Sequence, residues 1–193
     1  MQRTVPGVPA IAFPDPALTD GVVALRPWRP ADAEARYAGF TDPLCLQFSW
    51  PYVEPPTEAD VAGAFARNED ERRCGVGINL AVVDAVDQDA IWGAASVYDL
   101  LADQDRAGIG YWLAPRARGR GLATRALRLL SGWALEELSL ARLELTCAPD
   151  NVASQRVAER CGFRREGLLR SHMRFKGGRR DSVVYGLLPG ELG

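Results

Sequence analysis

Residues 109–125 read IGYWLAPRARGRGLATR, and most of the fold can be worked outward from them. Ile109–Leu113 is a short apolar, β-prone run, stopped at Ala114-Pro115. From Leu122 onward the apolar residues Leu122, Ala126, Leu127, Leu130, Trp133, Ala134 and Leu138 recur at spacings of one, three and four, the stripe of a long amphipathic helix. Between strand and helix lies a loop with Gly119 and Gly121 at the helix mouth, and five arginines fall between Arg116 and Arg128 with no acid among them. This order of parts reads as an anion site. The first turn of a helix carries unpaired N–H donors and the positive end of the helix dipole, and glycine lets the backbone approach a phosphate with no Cβ in the way. Arg116, Arg118, Arg120 and Arg125 would add charge-assisted hydrogen bonds. A glycine pair alone would signify only a turn beside a solvated basic face. The preceding strand, the following helix and the unopposed charge favour the anion.

Upstream, Met1–Asp20 is proline-rich and aperiodic and reads as an extended arm over residues 1–20, with the folded domain over 21–190. Val22–Arg26 reads as a strand and Ala31–Phe40 as a short helix that Pro30 opens. Thr41–Pro56 holds Phe48, Trp50, Tyr52 and four prolines and is expected to be an aromatic loop with no regular element. Thr57 with Asp60 three residues on has the form of a capping box for a helix to about Arg73. Val76–Val83 and Ile91–Tyr98 form a loose hairpin around an acidic turn. Downstream come a half-buried strand at Leu143–Cys147, a helix from about Asn151 to Arg160, and two strands flanking Gly177-Gly178. The expected fold class is α/β (α+β): one domain with about seven strands and flanking helices, with no internal repeat.

The composition excludes several classes. With 47% hydrophobic and 25% charged residues over 193 positions, the chain is neither disordered nor fibrous, and no apolar run is long enough to span a bilayer. The first twenty residues, with one basic residue and four prolines, do not read as a secretory or transit peptide. Cys45, Cys74, Cys147 and Cys161 are scattered and His172 is the single histidine, so no metal cluster is expected and a reduced cytoplasmic setting fits better. The net charge of −2 conceals a split: residues 1–105 carry 17 acids against 7 bases, and residues 106–193 carry 8 against 16. That split suits an anionic ligand on the second half and a cationic one near the first. Strand alternation would scatter the basic residues between Arg164 and Arg180, so no nucleic-acid surface is expected, and no membrane surface either.

Arg116-x-x-Gly119-x-Gly121 resembles the R/Q-x-x-G-x-G/A signature of the GNAT superfamily of acetyltransferases. Asn151-x-x-Ser154-x-x-Val157-Ala158-x-x-Cys161-Gly162-Phe163 is similar to the helix and strand start of its ribosomal-protein N-terminal acetyltransferase branch, the RimJ/RimL type. The resemblance runs from about Val22 to Leu188. It implies a mixed, mostly antiparallel sheet whose splayed strand pair holds CoA, and an N-acetyltransferase that moves an acetyl group from acetyl-CoA to a primary amine. It places the pantetheine arm on Trp112 and Leu113, and the pyrophosphate on the backbone of Arg118, Gly119, Arg120, Gly121, Leu122, Ala123 and Thr124, with Arg116 opening the signature. Ser154 and Asn151 are the expected catalytic residues: Asn151 would contact the pantetheine while also capping its helix, and Ser154 would lie near the departing sulfur. Phe48, Trp50, Tyr52, Ser96 and Tyr98 would line the acceptor side.

Two positions depart from the family pattern. Relatives carry a tyrosine acid four residues after the Ser154 position, where this chain has Ala158, so Ser154 becomes the candidate acid. They also carry a glutamate before the I-G-Y-W run, where this chain has Gly108; Asp99 and Asp105 are the nearest substitutes, and Gly108→Glu is expected to raise the rate at low pH. With no evident base, the more acidic ammonium is the better substrate. At pH 7 neutralising an α-amine costs roughly 1 kcal/mol and a lysine roughly 4–5 kcal/mol, so a peptide N-terminal α-amine or a small amine of similar basicity is expected. The competing readings are a CoA-binding regulatory or scaffold protein without catalysis, and an acyltransferase with another donor such as succinyl-CoA. Monomer and homodimer both remain open.

Overall fold

Nearly continuous burial along the central strands and the long apolar stripe of one helix produce a sheet with buried clusters on both faces. In the computed structural model, which describes residues 9–193, the order is β1 (Leu18–Thr19), β2 (Val23–Arg26), α1 (Ala33–Phe40), α2 (Pro43–Phe48), α3 (Glu58–Arg73), β3 (Ile78–Asp84), β4 (Ile91–Leu101), β5 (Arg106–Leu113), α4 (Leu122–Glu137), β6 (Arg142–Cys147), α5 (Val152–Arg160), β7 (Arg164–Phe175) and β8 (Gly178–Leu187). Short 3-10 turns at Pro30–Asp32 and Pro115–Ala117 complete it. The sheet runs β1-β2-β3-β4-β5-β6-β8-β7. Every neighbouring pair is antiparallel except β5 with β6. Seven of these strands stand where the sequence places them, and the two-residue β1 makes an eighth.

One face of the sheet carries the main core. Ile78, Leu80, Val82, Ala95, Val97 and Ile109 meet Leu127, Leu130 and Ala134 of α4, all at most 2% exposed. On the other face Ala24, Ala81, Val83 and Ile91 form a smaller cluster under Trp28 and Ala35. The capping box of α3 forms as its sequence predicts: Thr57 Oγ1 accepts from the Asp60 amide at 3.2 Å, and the Asp60 carboxylate accepts from the Thr57 amide at 2.8 Å. Between residues 9 and 20, Ile11 is buried in the main core and its amide donates to the Arg72 carbonyl at 3.0 Å. The rest of the expected arm, residues 1–8, lies outside the described residues.

The segment read as an irregular aromatic loop contains a helix. Asp42 Oδ1 accepts from the Leu44 amide at 3.0 Å and Pro43 occupies the first helical position, so the four prolines that suggested a loop include one that starts α2.

The feature that positions the site is a ladder that stops early. β5 and β6 pair only at Arg106–Arg142, Ala107–Leu143 and Gly108–Glu144. Beyond Gly108 the parallel pairing ends, and the edge of β5 that faces β6 opens from Ile109 to Leu113.

Candidate active site

Successive residues of a strand point to opposite faces. Tyr111, Trp112 and Leu113 nonetheless line one cleft of about 340 Å3, which is possible because that cleft runs along the open edge of β5 rather than over either face. Leu44, Cys45 and Phe48 of α2 close one side, and Asn151, Ser154 and Val157 of the α5 turn close the other. Arg118, Gly119 and Ala123 form its far end. The expected cofactor contacts Trp112, Leu113, Arg118, Gly119, Ala123 and Asn151 therefore come together with the expected catalytic Ser154. Phe48, expected on the acceptor side, joins them.

Gly121 is the N-cap of α4, at φ 76°, and Gly119 precedes it at φ 72°. A side chain at such φ costs about 1–2 kcal/mol. A Cβ built on either glycine meets nothing within 4 Å, so it is backbone conformation, not crowding by the protein, that calls for glycine there. Side chains cap the first turns of α3 and α5, but none caps that of α4. Its amides face the loop, as an anion site requires.

The arginines are less free than the sequence suggests. Arg116 donates to the Ile91 carbonyl at 2.7 Å, Arg118 to Asp42 at 2.6 Å and to the Leu113 carbonyl at 3.0 Å, and Arg125 to Asp20 at 2.6 Å. Arg120 lies over the Trp92 ring, 5.2 Å from its centroid. The expectation of unopposed positive charge is thus corrected: Arg118 and Arg125 meet acids distant in sequence, and Arg116 braces the loop against β4. The Arg118 guanidinium in turn holds the Asp42 carboxyl below its usual range.

On α5 the Asn151 side-chain oxygen accepts from the Ser154 amide at 3.1 Å, which makes Asn151 the N-cap and leaves its amide nitrogen as a donor. Ser154 Oγ is 3.4 Å from the Tyr111 hydroxyl. Burial pushes the Tyr111 pKa up to about 12, with Ser154 opposing the shift. Tyr111 escaped the sequence reading because its partner lies 43 residues away. Ala158 is fully buried in the main core.

Tyr98 and Gly108 line a second cavity of about 820 Å3, together with Glu71, Asp99, Glu144 and His172. Tyr98 stands opposite Gly108 in the β4–β5 register, and its ring fills the space a Gly108 side chain would need. Glu144 faces Gly108 from β6, held by Arg142 at 2.9 Å and Arg106 at 3.4 Å. Burial pushes the Glu71 carboxyl above its ordinary value, with Arg67 opposing and Asp99 reinforcing. Of the two substitute bases, Asp99 lines this cavity and Asp105 does not. Ser96 stands across from Gly110 on β4 and lines neither space. Trp50 and Tyr52 stack edge to face at 5.0 Å, and Trp50 also meets Phe40, which meets Trp112 in turn. The expected acceptor residues are therefore spread: Phe48 in the cleft, Trp50 and Tyr52 in an aromatic chain behind it, and Tyr98 in the acidic cavity.

A family model described as acetyltransferase (GNAT) domain matches residues 23–164. The chain belongs to the GNAT acetyltransferase family. Its match to the "Putative ribosomal N-acetyltransferase YdaF" of Bacillus subtilis is 38% identical over 102 residues, 53% of this chain and 56% of that protein. The chain thus spans about half the length of that relative. A longer match, 28% identical over 175 residues, covers 90% of this chain and 97% of the uncharacterized N-acetyltransferase YoaA of Bacillus subtilis. Among solved structures, Mycobacterium smegmatis RimJ in complex with CoA-disulfide superposes with a TM-score of 0.78 at 27% identity, covering 91% of this chain and 86% of that one. The open edge of β5 and the uncapped start of α4 thus belong to a GNAT domain that shares its fold with a protein solved with a CoA species bound.

Proposed function

We propose that this GNAT domain, over residues 21–190, transfers an acetyl group from acetyl-CoA to a primary amine, with a peptide or protein N-terminal α-amine, or a small amine of similar basicity, as the preferred acceptor. The observation that carries the reading is the cleft in which the open edge of β5, the glycine-capped start of α4 and Ser154 meet. Backbone N–H groups from Arg118 to Thr124 hold the pyrophosphate, Trp112 and Leu113 pair with the pantetheine, and the free amide nitrogen of Asn151 donates to it. The neutral amine attacks the thioester carbonyl, a backbone N–H near Leu113 stabilises the oxyanion, and the C–S bond breaks with its electron pair left on sulfur. Ser154 donates to that sulfur. The proton that ends on the thiol is the one the nitrogen loses on becoming an amide.

In the larger cavity Glu144 is paired with Arg106 and Arg142, and it is Glu71 and Asp99 that favour a cationic visitor, which suits an amine that arrives protonated. The partners are then acetyl-CoA and an amine, with no nucleic acid or membrane, and the state is monomer or homodimer. Among the described residues no helix is long and apolar enough to cross a membrane. All four cysteines are unpaired, which supports a reduced cytoplasmic location. A CoA-binding scaffold without catalysis is the rival reading, motivated by Ala158 and Gly108.

The test is a melting screen followed by thiol release. CoA at 100 times its Kd adds about 2.7 kcal/mol and should raise Tm by roughly 5–11 °C. Release of thiol from acetyl-CoA on adding peptides, polyamines or small amines then marks the enzyme; preference for succinyl-CoA would change the donor, and binding without release from any amine would leave the scaffold.

A further inference from the structure

The acetyl-transfer reading leaves the Tyr111 hydroxyl, which lines the cleft, unused. Tyr111 packs against the main core and brings its phenol from β5 to 3.4 Å from Ser154 Oγ, inside the cleft. A serine hydroxyl has one hydrogen and two lone pairs, so the direction of its proton depends on what donates to its oxygen. A phenol is a stronger acid than an aliphatic alcohol, which makes Tyr111 the donor of this pair. With its pKa pushed up to about 12, it keeps its proton throughout the neutral range. The Asn151 cap on the Ser154 amide fixes the helix turn that carries Ser154, and Tyr111 meets its Oγ. Cys147 lies beside the Ser154 hydroxyl, and burial raises its thiol pKa, which keeps its sulfur neutral and a weak acceptor. Ala158, where relatives are expected to place a phenol on the helix, is sealed in the core. The strand supplies a phenol instead.

We infer that Tyr111 is a positioning residue for thioester cleavage: it donates to Ser154 Oγ and so turns the Ser154 proton toward the departing CoA sulfur. This rests on the acetyl-transfer reading. As the C–S bond breaks, sulfur takes the electron pair and becomes a far stronger acceptor than the neutral Cys147 thiol. The Ser154 hydrogen bond then goes to the CoA sulfur, with Tyr111 polarising it from behind. The amine supplies the proton that finally neutralises the thiolate, so neither hydroxyl is consumed.

Tyr111→Phe removes a single oxygen. It should lower kcat about tenfold while leaving KM for acetyl-CoA within about twofold, the loss expected when a hydrogen bond supporting a developing charge disappears. Ser154→Ala should cost at least as much, and Tyr111→Phe added to it should change kcat no further. A tyrosine with only a packing role would lower kcat by the same factor in both backgrounds; that result, or an unchanged kcat in Tyr111→Phe, overturns the inference. A second readout needs no turnover: the pKa of the bound CoA thiol, followed by thiolate absorbance of the CoA complex against the free protein. It should lie below that of free CoA in the wild type and rise in Tyr111→Phe, in Ser154→Ala and equally in the double variant. If the wild type shows this pattern but releases no thiol from acetyl-CoA, the transfer reading fails and the hydroxyl pair stands. If all four proteins share one thiol pKa, the pair fails whatever the turnover.

Discussion

Gly121→Ala separates the two demands that the start of α4 makes on its glycine. At φ 76° an alanine is strained by about 1–2 kcal/mol, and since an added Cβ meets no atom within 4 Å there is no steric cost to add. For a domain of this size that strain lowers Tm by roughly 2–8 °C, and the protein stays folded. Ligand binding should suffer more. On the proposed phosphate assignment the methyl group would stand in the open space before the uncapped amides, and each hydrogen bond to a charged oxygen that it costs is worth about 1.5–3 kcal/mol. Loss of two weakens CoA by at least about 100-fold. Calorimetric titration with CoA and with acetyl-pantetheine, which lacks the diphosphate, gives the assay. Affinity for acetyl-pantetheine should change by less than about twofold, because Trp112, Leu113 and Asn151 are untouched. A Gly121→Ala protein that melts as expected and still binds CoA like the wild type would refute the assignment of the phosphates to this loop.

Asp42→Ala removes both the N-cap of α2 and the partner of Arg118; stability should fall by about 1–2 kcal/mol and KM for acetyl-CoA should rise, as melting and steady-state kinetics would show. Gly108→Glu, which in the sequence looks like restoration of a missing base, must displace the Tyr98 ring, so overpacking of about 1–3 kcal/mol is expected with no gain in rate at low pH; a faster reaction in the pH–rate profile would contradict this. Arg72 and Arg73 hold the Glu69 carboxyl down to about 2 from its usual 4.5. Its folded pKa is depressed, so its contribution is complete above pH 4.5 and is lost as pH falls toward 2; Tm measured across that window should fall less steeply in Glu69→Gln.

The local signals that reached the fold correctly were those in which neighbours in sequence are neighbours in space. The stripe from Leu122 to Leu138, the Thr57–Asp60 box and the alternation of Leu143, Leu145 and Cys147 each encode their own element. α2 was hidden because Pro43 reads as a breaker until Asp42 is seen capping it, and β1 because two residues carry no period. Charge pairing was the least legible. Asp42 and Asp20 neutralise Arg118 and Arg125 from 76 and 105 residues away, so a loop that is purely basic in sequence is partly paired in space. The same distance concealed Tyr111 beside Ser154, and the placing of Glu71 near Asp99 in the acidic cavity. The cleft itself was legible only through its family resemblance, because an early-ending ladder leaves no mark in the composition of β5.

The most direct test offers acetyl-CoA and the full chain a peptide with a free N-terminus and one internal lysine, with thiol release and the mass of the peptide followed together. The account predicts one acetyl group per thiol released, located by fragmentation on the α-nitrogen, at a rate that climbs as pH rises toward about 8, where that amine loses its proton. CoA bound in the cleft with no thiol released from this or any other amine would contradict it.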